Sequence, residues 1–292
     1  MNAINLSGKT AFVTGIADNG GFAWTIGKIL QAAGAEVILG CHPRTVGIAS
    51  KFLTRDKDAE SRTLPFGQDG EFAPSMILPC DVEYDTAADI PDTLKDKKGY
   101  READVSIEGC MNQIREAGKA LDIVIHSVAF SSEVQNPHLE VSRQAYLQAM
   151  SISSYSLVAL SRAALPLMEG RQGSVIGLSY LAGQRVVPYY GGGMATAKAA
   201  LESDARNLAW FLGEKGHRVN IVSPGPFGSR AARSIGDIDA AVDHAAAQSP
   251  LKRSITRDDV ANTVLFLASP LSSAITGSCI FVDAGYNIMA AS

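Results

Sequence analysis

The amino-acid sequence predicts an α/β protein built on one doubly wound, parallel sheet of about seven strands with helices on both faces. Three observations carry this expectation. Short runs rich in β-branched residues alternate along the chain with longer stretches of helical periodicity. The strand-like runs are nearly continuous in hydrophobicity, as strands buried on both faces are. The connections are long enough for right-handed crossovers. At 292 residues, 46% hydrophobic and 19% charged, the chain can bury a sizeable core. With no repeat and no linker-like stretch, residues 1–292 read as a single domain.

The first strand is read over residues 9–14 (KTAFVT) and runs into TGIADNGGFAWTIGK, a Gly-rich turn opening into a helix over 24–34. In a Rossmann-type sheet, such a turn lets backbone N–H groups and the positive end of the helix meet a pyrophosphate. Gly15 makes the tight turn, Gly20 and Gly21 allow close approach of a ligand, and Ile26 and Gly27 pack the helix on the sheet. The second strand, 35–40 (AEVILG), ends without the acidic residue that would clamp a ribose 2′-hydroxyl. His42 and Arg44 stand there instead, and a cation at that place accepts a 2′-phosphate. NAD and NADP therefore both remain open from the residues alone.

Residues 43–74 are polar, rich in Gly and Pro, and too long for a plain connection. Such a segment is functional, a family-specific decoration, or disordered. The third strand, 75–80 (SMILPC), delivers Asp81 for an adenine amino group and Val82 as an apolar wall; Asp81 equally reads as a strand-to-helix cap. Residues 83–104 form a second charged excursion. The fourth strand, 121–127 (LDIVIHS), is succeeded by small residues, Ser127 and Ala129, along which a cofactor can lie.

The fifth strand, 173–179 (GSVIGLS), closes on Ser179, a further cofactor-side candidate, and puts Tyr180 over the same crevice. The sixth and seventh strands are read over 217–223 (HRVNIVS) and 278–283 (SCIFVD), with a long helix over 197–216. Between strands six and seven, residues 224–250 fall where ligands bind beyond the carboxyl ends of strands and are placed to act as a lid.

The chemistry concentrates in SYLAGQRVVPYYGGGMATAKAALES. On one regular helix, eight residues at about 1.5 Å each would hold the backbones of Tyr190 and Lys198 roughly 12 Å apart. Gly191, Gly192 and Gly193 remove that difficulty, because the helix need not begin until after them, and Lys198 leans back toward the helix start. A phenol with a pKa near 10 is a poor acid, but a nearby ammonium favours its anion and sharpens it as a donor. A tyrosine hydroxyl aimed at a carbonyl stabilises a developing oxyanion. Lys198 is read as holding the nicotinamide ribose. Tyr189 is assigned to packing.

Other classes are disfavoured. A net charge of -4 and no basic patterned stretch argue against nucleic acid. Four cysteines without a CxxC pair argue for reduced thiols, and five histidines without ligand spacing for no metal. The opening residues carry no apolar targeting core, and no run reaches the roughly 18 apolar residues of a membrane span. The expected setting is a bacterial cytoplasm, or a plastid stroma if a transit peptide has been removed.

Nearly the whole chain resembles the enoyl-acyl-carrier-protein reductases of the short-chain dehydrogenase/reductase superfamily, in the branch of chlamydiae, plant plastids and apicomplexan parasites. GIADNGGFAWTIGK, HSVAF, SSYSLVALS, LSYLAGQRVVPYYGGGMATAKAALESD, VSPGPFGSRAARSIG and SPLSSAITGSCIFVDAGYN carry the resemblance. Two tyrosines ten apart, with a lysine eight further on, are specific to it; most of the superfamily spaces tyrosine and lysine by four.

The resemblance implies NADH-dependent reduction of a trans-2-enoyl thioester in type II fatty acid biosynthesis. Tyr190 polarises the thioester carbonyl, Lys198 binds the cofactor ribose and Tyr180 shapes the substrate pocket. It also implies Gly15, Ile16, Gly21, Phe22 and Ala23 at the cofactor turn, Asp81 and Val82 at adenine, and Ser127 and Ala129 along the cofactor. Gly225, Pro226, Phe227 and Ser229 fall near the nicotinamide amide and pyrophosphate, with a substrate loop from Ala231 onward and a homotetrameric assembly.

The chain departs from the branch pattern at GCH, where GTW is usual and His42 must stack on adenine. It departs also at Phe130 in place of asparagine, at Ala23 in place of glycine, and in SPGP in place of SAGP. The implied partner is an acyl carrier protein, or coenzyme A, bearing the enoyl chain, with Arg230 and Arg233 as a basic rim. A carbonyl reductase or alcohol dehydrogenase on the same scaffold, and a non-catalytic NAD(H)-binding protein, remain the alternative readings.

Overall fold

The structure, a computed structural model, describes residues 4–229, 232–234 and 237–290. The strands are β1 (Thr10–Thr14), β2 (Glu36–Cys41), β3 (Met76–Pro79), β4 (Ile123–His126), β5 (Ser174–Leu178), β6 (Arg218–Pro224) and β7 (Cys279–Val282). They form one parallel sheet in the order β3-β2-β1-β4-β5-β6-β7. All seven sequence-predicted strands are present, within one or two residues at each end. The interior positions of β1, β4 and β5 are buried throughout, which is why no alternation appears in their sequences.

Helices cover both faces: α1 (Phe22–Ala32), α2 (Val46–Phe52), α3 (Ala59–Arg62), α4 (Asp92–Lys95), α5 (Ile107–Glu116), α6 (Arg143–Met150), α7 (Ser156–Met168), α8 (Met194–Gly213), α9 (Ile238–Gln248) and α10 (Arg257–Ala268). One apolar layer packs α1 and α10 on the sheet around Trp24, Ile26, Leu30, Val260 and Val264. The opposite layer packs α5, α7 and α8 around Ile114, Leu157, Leu160 and Leu201. A π turn at Ser151–Tyr155 joins α6 to α7.

The strand order reverses between β1 and β4, so the connections after these two strands diverge and leave a crevice at their carboxyl ends. Val13 pairs with Ile125, which sets Gly15 beside Ser127 at the lip of that crevice. The 43–74 segment is neither loose nor extended: it contains α2 and α3 and is pinned by a bridge between Thr63 and Glu71. Among the described residues no helix is long and apolar enough to cross a membrane.

Candidate active site

Gly15 is the residue at the crevice that the backbone makes obligatory. Its φ is +82°, and a Cβ there would stand 1.9 Å from the Ser127 carbonyl oxygen. Gly20 and Gly21 have no such constraint, and the Gly20 N–H is already spent on Asp18 Oδ1 at 2.7 Å. An anion would instead meet the unpaired donors at the first turn of α1, which begins at Phe22, not at Trp24. Ile26 is buried in the sheet-facing core, whereas Gly27 faces the Phe72 ring, 2.7 Å from where its Cβ would lie, and not the sheet.

At the adenosine end, Asp81 lies just beyond β3 and accepts from the Tyr100 hydroxyl at 2.5 Å and from the Glu83 N–H at 3.2 Å. Asp81 thus closes a turn and caps no helix, since the next helical turn begins only at Ala87. Burial raises its pKa, but hydrogen bonds from His42 and Tyr100 outweigh that and keep it a carboxylate. His42 is fixed on both sides of its ring: Nδ1 accepts from the Arg44 N–H at 3.1 Å, and Nε2 lies 3.5 Å from Asp81 Oδ2. The imidazole side chain stays 43% exposed, so a flat face remains for stacking. Val82 is buried beside these groups. Tyr100, inside the 83–104 excursion, carries no signal in the sequence.

Beyond β4, the HSVAF loop is fastened from behind. Ser153, in the π turn, accepts from the Phe130 N–H at 3.0 Å and donates to its carbonyl at 3.2 Å. Ser131 donates to the Gly192 carbonyl at 2.7 Å. Ser127 and Ala129 stay half-buried or exposed at the lip of the crevice. Across it, Phe22 and Phe227 meet with ring centroids 4.9 Å apart, joining the turn after β1 to the loop after β6. Gly225 is held by the Val282 carbonyl and Ser229 by that of Phe227. Pro226 is buried between them. Arg230 and Ala231 lie outside the described residues; Arg233 is exposed.

The tyrosine segment folds as the glycines require. Gly192 and Gly193 have φ of +59° and +78°, and a Cβ on Gly191 would fall 2.0 Å from the Asn136 carbonyl oxygen. Gly193 caps α8 in the left-handed region, and the helix starts at Met194. Tyr180 and Tyr190 are thereby brought to a ring separation of 4.9 Å, tilted by 60°. Tyr189 is not merely packing: its hydroxyl lies 3.2 Å from that of Tyr180. The Tyr190 hydroxyl makes no hydrogen bond among the described residues.

Lys198, only 4% exposed, sends Nζ back to the Leu178 carbonyl at 2.8 Å, at the end of β5. Burial lowers its pKa to about 8, against a smaller opposing pull from Glu202. Glu202, one helical turn on, accepts from Ser179 Oγ at 2.6 Å and from Gln184 Nε2 at 2.5 Å. The Ser179 hydroxyl is therefore engaged by Glu202 and its N–H by the Val222 carbonyl. Glu202 braces both ends of the stretch that carries Tyr180. Its spacing of four from Lys198 is the available clue in the sequence.

One electrostatic expectation is corrected. Burial alone acts on Tyr190 and pushes its phenol above the ordinary range, with no lowering from Lys198. Tyr180 is raised too, by burial first and then by its bond to Tyr189. Tyr190 is a neutral donor, suited to hydrogen-bond an oxyanion without ionising.

These residues fit a dinucleotide. A Gly15 cradle, open donors at α1, and a buried ammonium with one acceptor for its three protons provide for pyrophosphate and ribose hydroxyls.

Comparison with known proteins agrees. Residues 82–287 match a family model described as enoyl-(acyl carrier protein) reductase. A chloroplastic enoyl-[acyl-carrier-protein] reductase [NADH] of Oryza sativa subsp. japonica is 44% identical over 98% of this chain and 77% of its own length. The chain belongs to the enoyl-acyl-carrier-protein reductase family.

Within this family, the enoyl-[acyl-carrier-protein] reductase [NADH] of Synechocystis sp. is 38% identical, covering 98% of this chain and 99% of that protein. A crystal structure of the Plasmodium berghei enoyl-acyl-carrier-protein reductase with triclosan superposes with a TM-score of 0.90 at 40% identity. It covers 96% of this chain and 98% of the other. The Rossmann-type fold and the resemblance read from the sequence are both upheld.

Proposed function

We propose that this protein reduces the trans-2 double bond of enoyl-acyl-carrier-protein thioesters with NADH, as a step of type II fatty acid biosynthesis. The observation that carries the reading is the meeting of Tyr180 and Tyr190 beyond the carboxyl end of β5, the strand whose Leu178 carbonyl receives buried Lys198, with the Tyr190 hydroxyl unspent.

In this reading a bound NADH would supply the hydride for the β-carbon, and the enolate left on the substrate takes up a proton to give the saturated thioester. Tyr190 donates to the thioester oxygen and holds the negative charge that develops there, an interaction stronger in the transition state than in the ground state. Lys198 donates to the ribose hydroxyls and contributes a positive field. Tyr180 packs along the acyl group, its hydroxyl tethered by Tyr189. Gly15, Ile16, Gly21, Phe22 and Ala23 serve the pyrophosphate, and His42, Asp81 and Val82 the adenine. Ser127, Ala129, the Ser179 backbone, Gly225, Pro226, Phe227 and Ser229 line the rest.

His42 and Arg44, with no acid at the end of β2, leave NADPH as a second donor. The segment at about 225–250, including α9, is read as the substrate loop, with Arg233 facing the carrier protein. The assembly is read as a homotetramer, and Trp210 and Phe211, 72% and 65% exposed at the end of α8, offer apolar surface for self-association. The chain is read as one domain working in a bacterial cytoplasm or a plastid stroma.

Loss of nicotinamide absorbance with crotonyl thioester, NADH against NADPH, tests the function. Turnover with NADH is expected. A small ketone reduced faster than the thioester would contradict it.

A further inference from the structure

The connection between β2 and β3 spends its polar groups on the nucleotide turn. Thr45 Oγ1 lies 3.0 Å from the carbonyl oxygens of both Ile16 and His42. Asn19, in the middle of the turn, donates through Nδ2 to Asp58 Oδ1 at 3.0 Å and to Ser61 Oγ at 3.1 Å.

These acceptors are themselves held. Asp58 Oδ2 takes Arg55 Nε at 2.6 Å, and the Ser61 hydroxyl donates to the Asp58 carbonyl at 2.7 Å. The Ser61 carbonyl accepts from Trp24 Nε1 at 2.8 Å, inside the first turn of α1. The Trp24 indole stands edge-on to Phe52 and to Phe72, with centroids 5.7 and 5.0 Å away. Arg62, buried, binds Glu71 and the carbonyls of Phe52 and Arg55, which locks the segment's two arms together.

We propose that the 43–74 segment is a clamp on the cofactor turn, and that Asp58 is a positioning residue acting through Asn19. A buried carboxylate is costly unless it is paired and hydrogen-bonded. Asp58 meets that condition by tying Arg55 to a turn 39 residues away. The turn it holds leads directly into the donors at the start of α1. Left unheld, that turn would have to be ordered by the cofactor itself, at the expense of affinity. The inference rests on the proposed function only in taking the ligand to be a dinucleotide.

The test measures NADH binding by fluorescence titration, with ADP-ribose and adenosine as competitors, in Asp58→Ala, Asn19→Ala and the double variant. Each single variant should weaken NADH and ADP-ribose by about fivefold to tenfold, the net scale of one ordinary hydrogen bond. Adenosine, which lacks the pyrophosphate, should bind within about twofold of wild type. The double variant should lose clearly less than the sum of the two single losses, because the Asn19–Asp58 contact is common to both.

Asn19→Ala leaves the segment intact, so it decides the matter if Asp58→Ala does not fold. Normal NADH affinity in folded Asn19→Ala overturns the clamp. Equal weakening of adenosine, or additive losses in the double variant, overturns it too. Wild-type protein that binds no NADH would instead overturn the proposed function.

Discussion

The two halves of the crevice are built on opposite economies of hydrogen bonding. On the β1–β3 side, the side chains around the turn have protein partners, and only backbone donors at the start of α1 stay open: Asn19 holds Asp58 and Ser61, Thr45 holds Ile16, and Asp81 holds Tyr100. On the β5–α8 side, the Tyr190 hydroxyl is unspent and buried Lys198 has one acceptor for three protons. A buried polar group left without its full set of partners is expensive. The contrast therefore separates a region that holds a ligand in place from one that waits for a ligand to complete it. Chemistry belongs to the second.

Lys198→Ala breaks this comparison most severely. It should raise the NADH dissociation constant at least about tenfold and lower kcat as well, giving roughly a thousandfold fall in kcat/KM. Unchanged NADH affinity would refute the ribose role. The same group sets a pH dependence. Below its pKa of about 8 Lys198 is an ammonium with three donors; above it, the charge is lost. NADH affinity in wild type should therefore fall as pH rises through about 8, which a fluorescence titration from acid to alkaline buffer reads directly. The sign for folding is opposite: because burial lowers the pKa from 10.5, the buried charge costs stability below about 8 and that cost disappears as pH climbs toward 10.5.

Gly192→Ala sharpens the comparison from the backbone side. An added Cβ would lie 2.5 Å from the Glu133 carbonyl oxygen at a φ of +59°, so the hinge under Tyr190 must shift. A stability loss of about 1–3 kcal/mol is expected, with kcat falling further than NADH affinity; thermal melts and steady-state kinetics check both. The smallest effect belongs to Tyr189→Phe, which removes the 3.2 Å contact with Tyr180 at a half-exposed position. Turnover should stay within about threefold of wild type; a loss of about a hundredfold would give Tyr189 a direct part in the reaction.

The strands are legible in the sequence because burial on both faces leaves a local mark, an unbroken apolar run such as TAFVT or SVIGL. The glycine hinge is legible because three consecutive glycines have few other uses, and the tyrosine and lysine because their spacing is unusual. The partners of these residues are not. Glu202 meets Ser179, Tyr100 meets Asp81, and Asp58 meets Asn19 across 23, 19 and 39 residues of chain, and such pairs arise only when the sheet forms. The direction of the Tyr190 shift is hidden for the same reason. Burial, the cause of that shift, is a tertiary property, whereas an ammonium eight residues away is visible in the sequence.

The central claim is that Tyr190 holds the oxyanion and does not hold the cofactor. A single-turnover experiment with Tyr190→Phe, preloaded with NADH and mixed with crotonyl thioester, tests it most directly. NADH affinity should stay within about twofold of wild type and hydride transfer should slow by about a hundredfold or more, the scale of losing one oxyanion donor. Hydride transfer at the wild-type rate would contradict it.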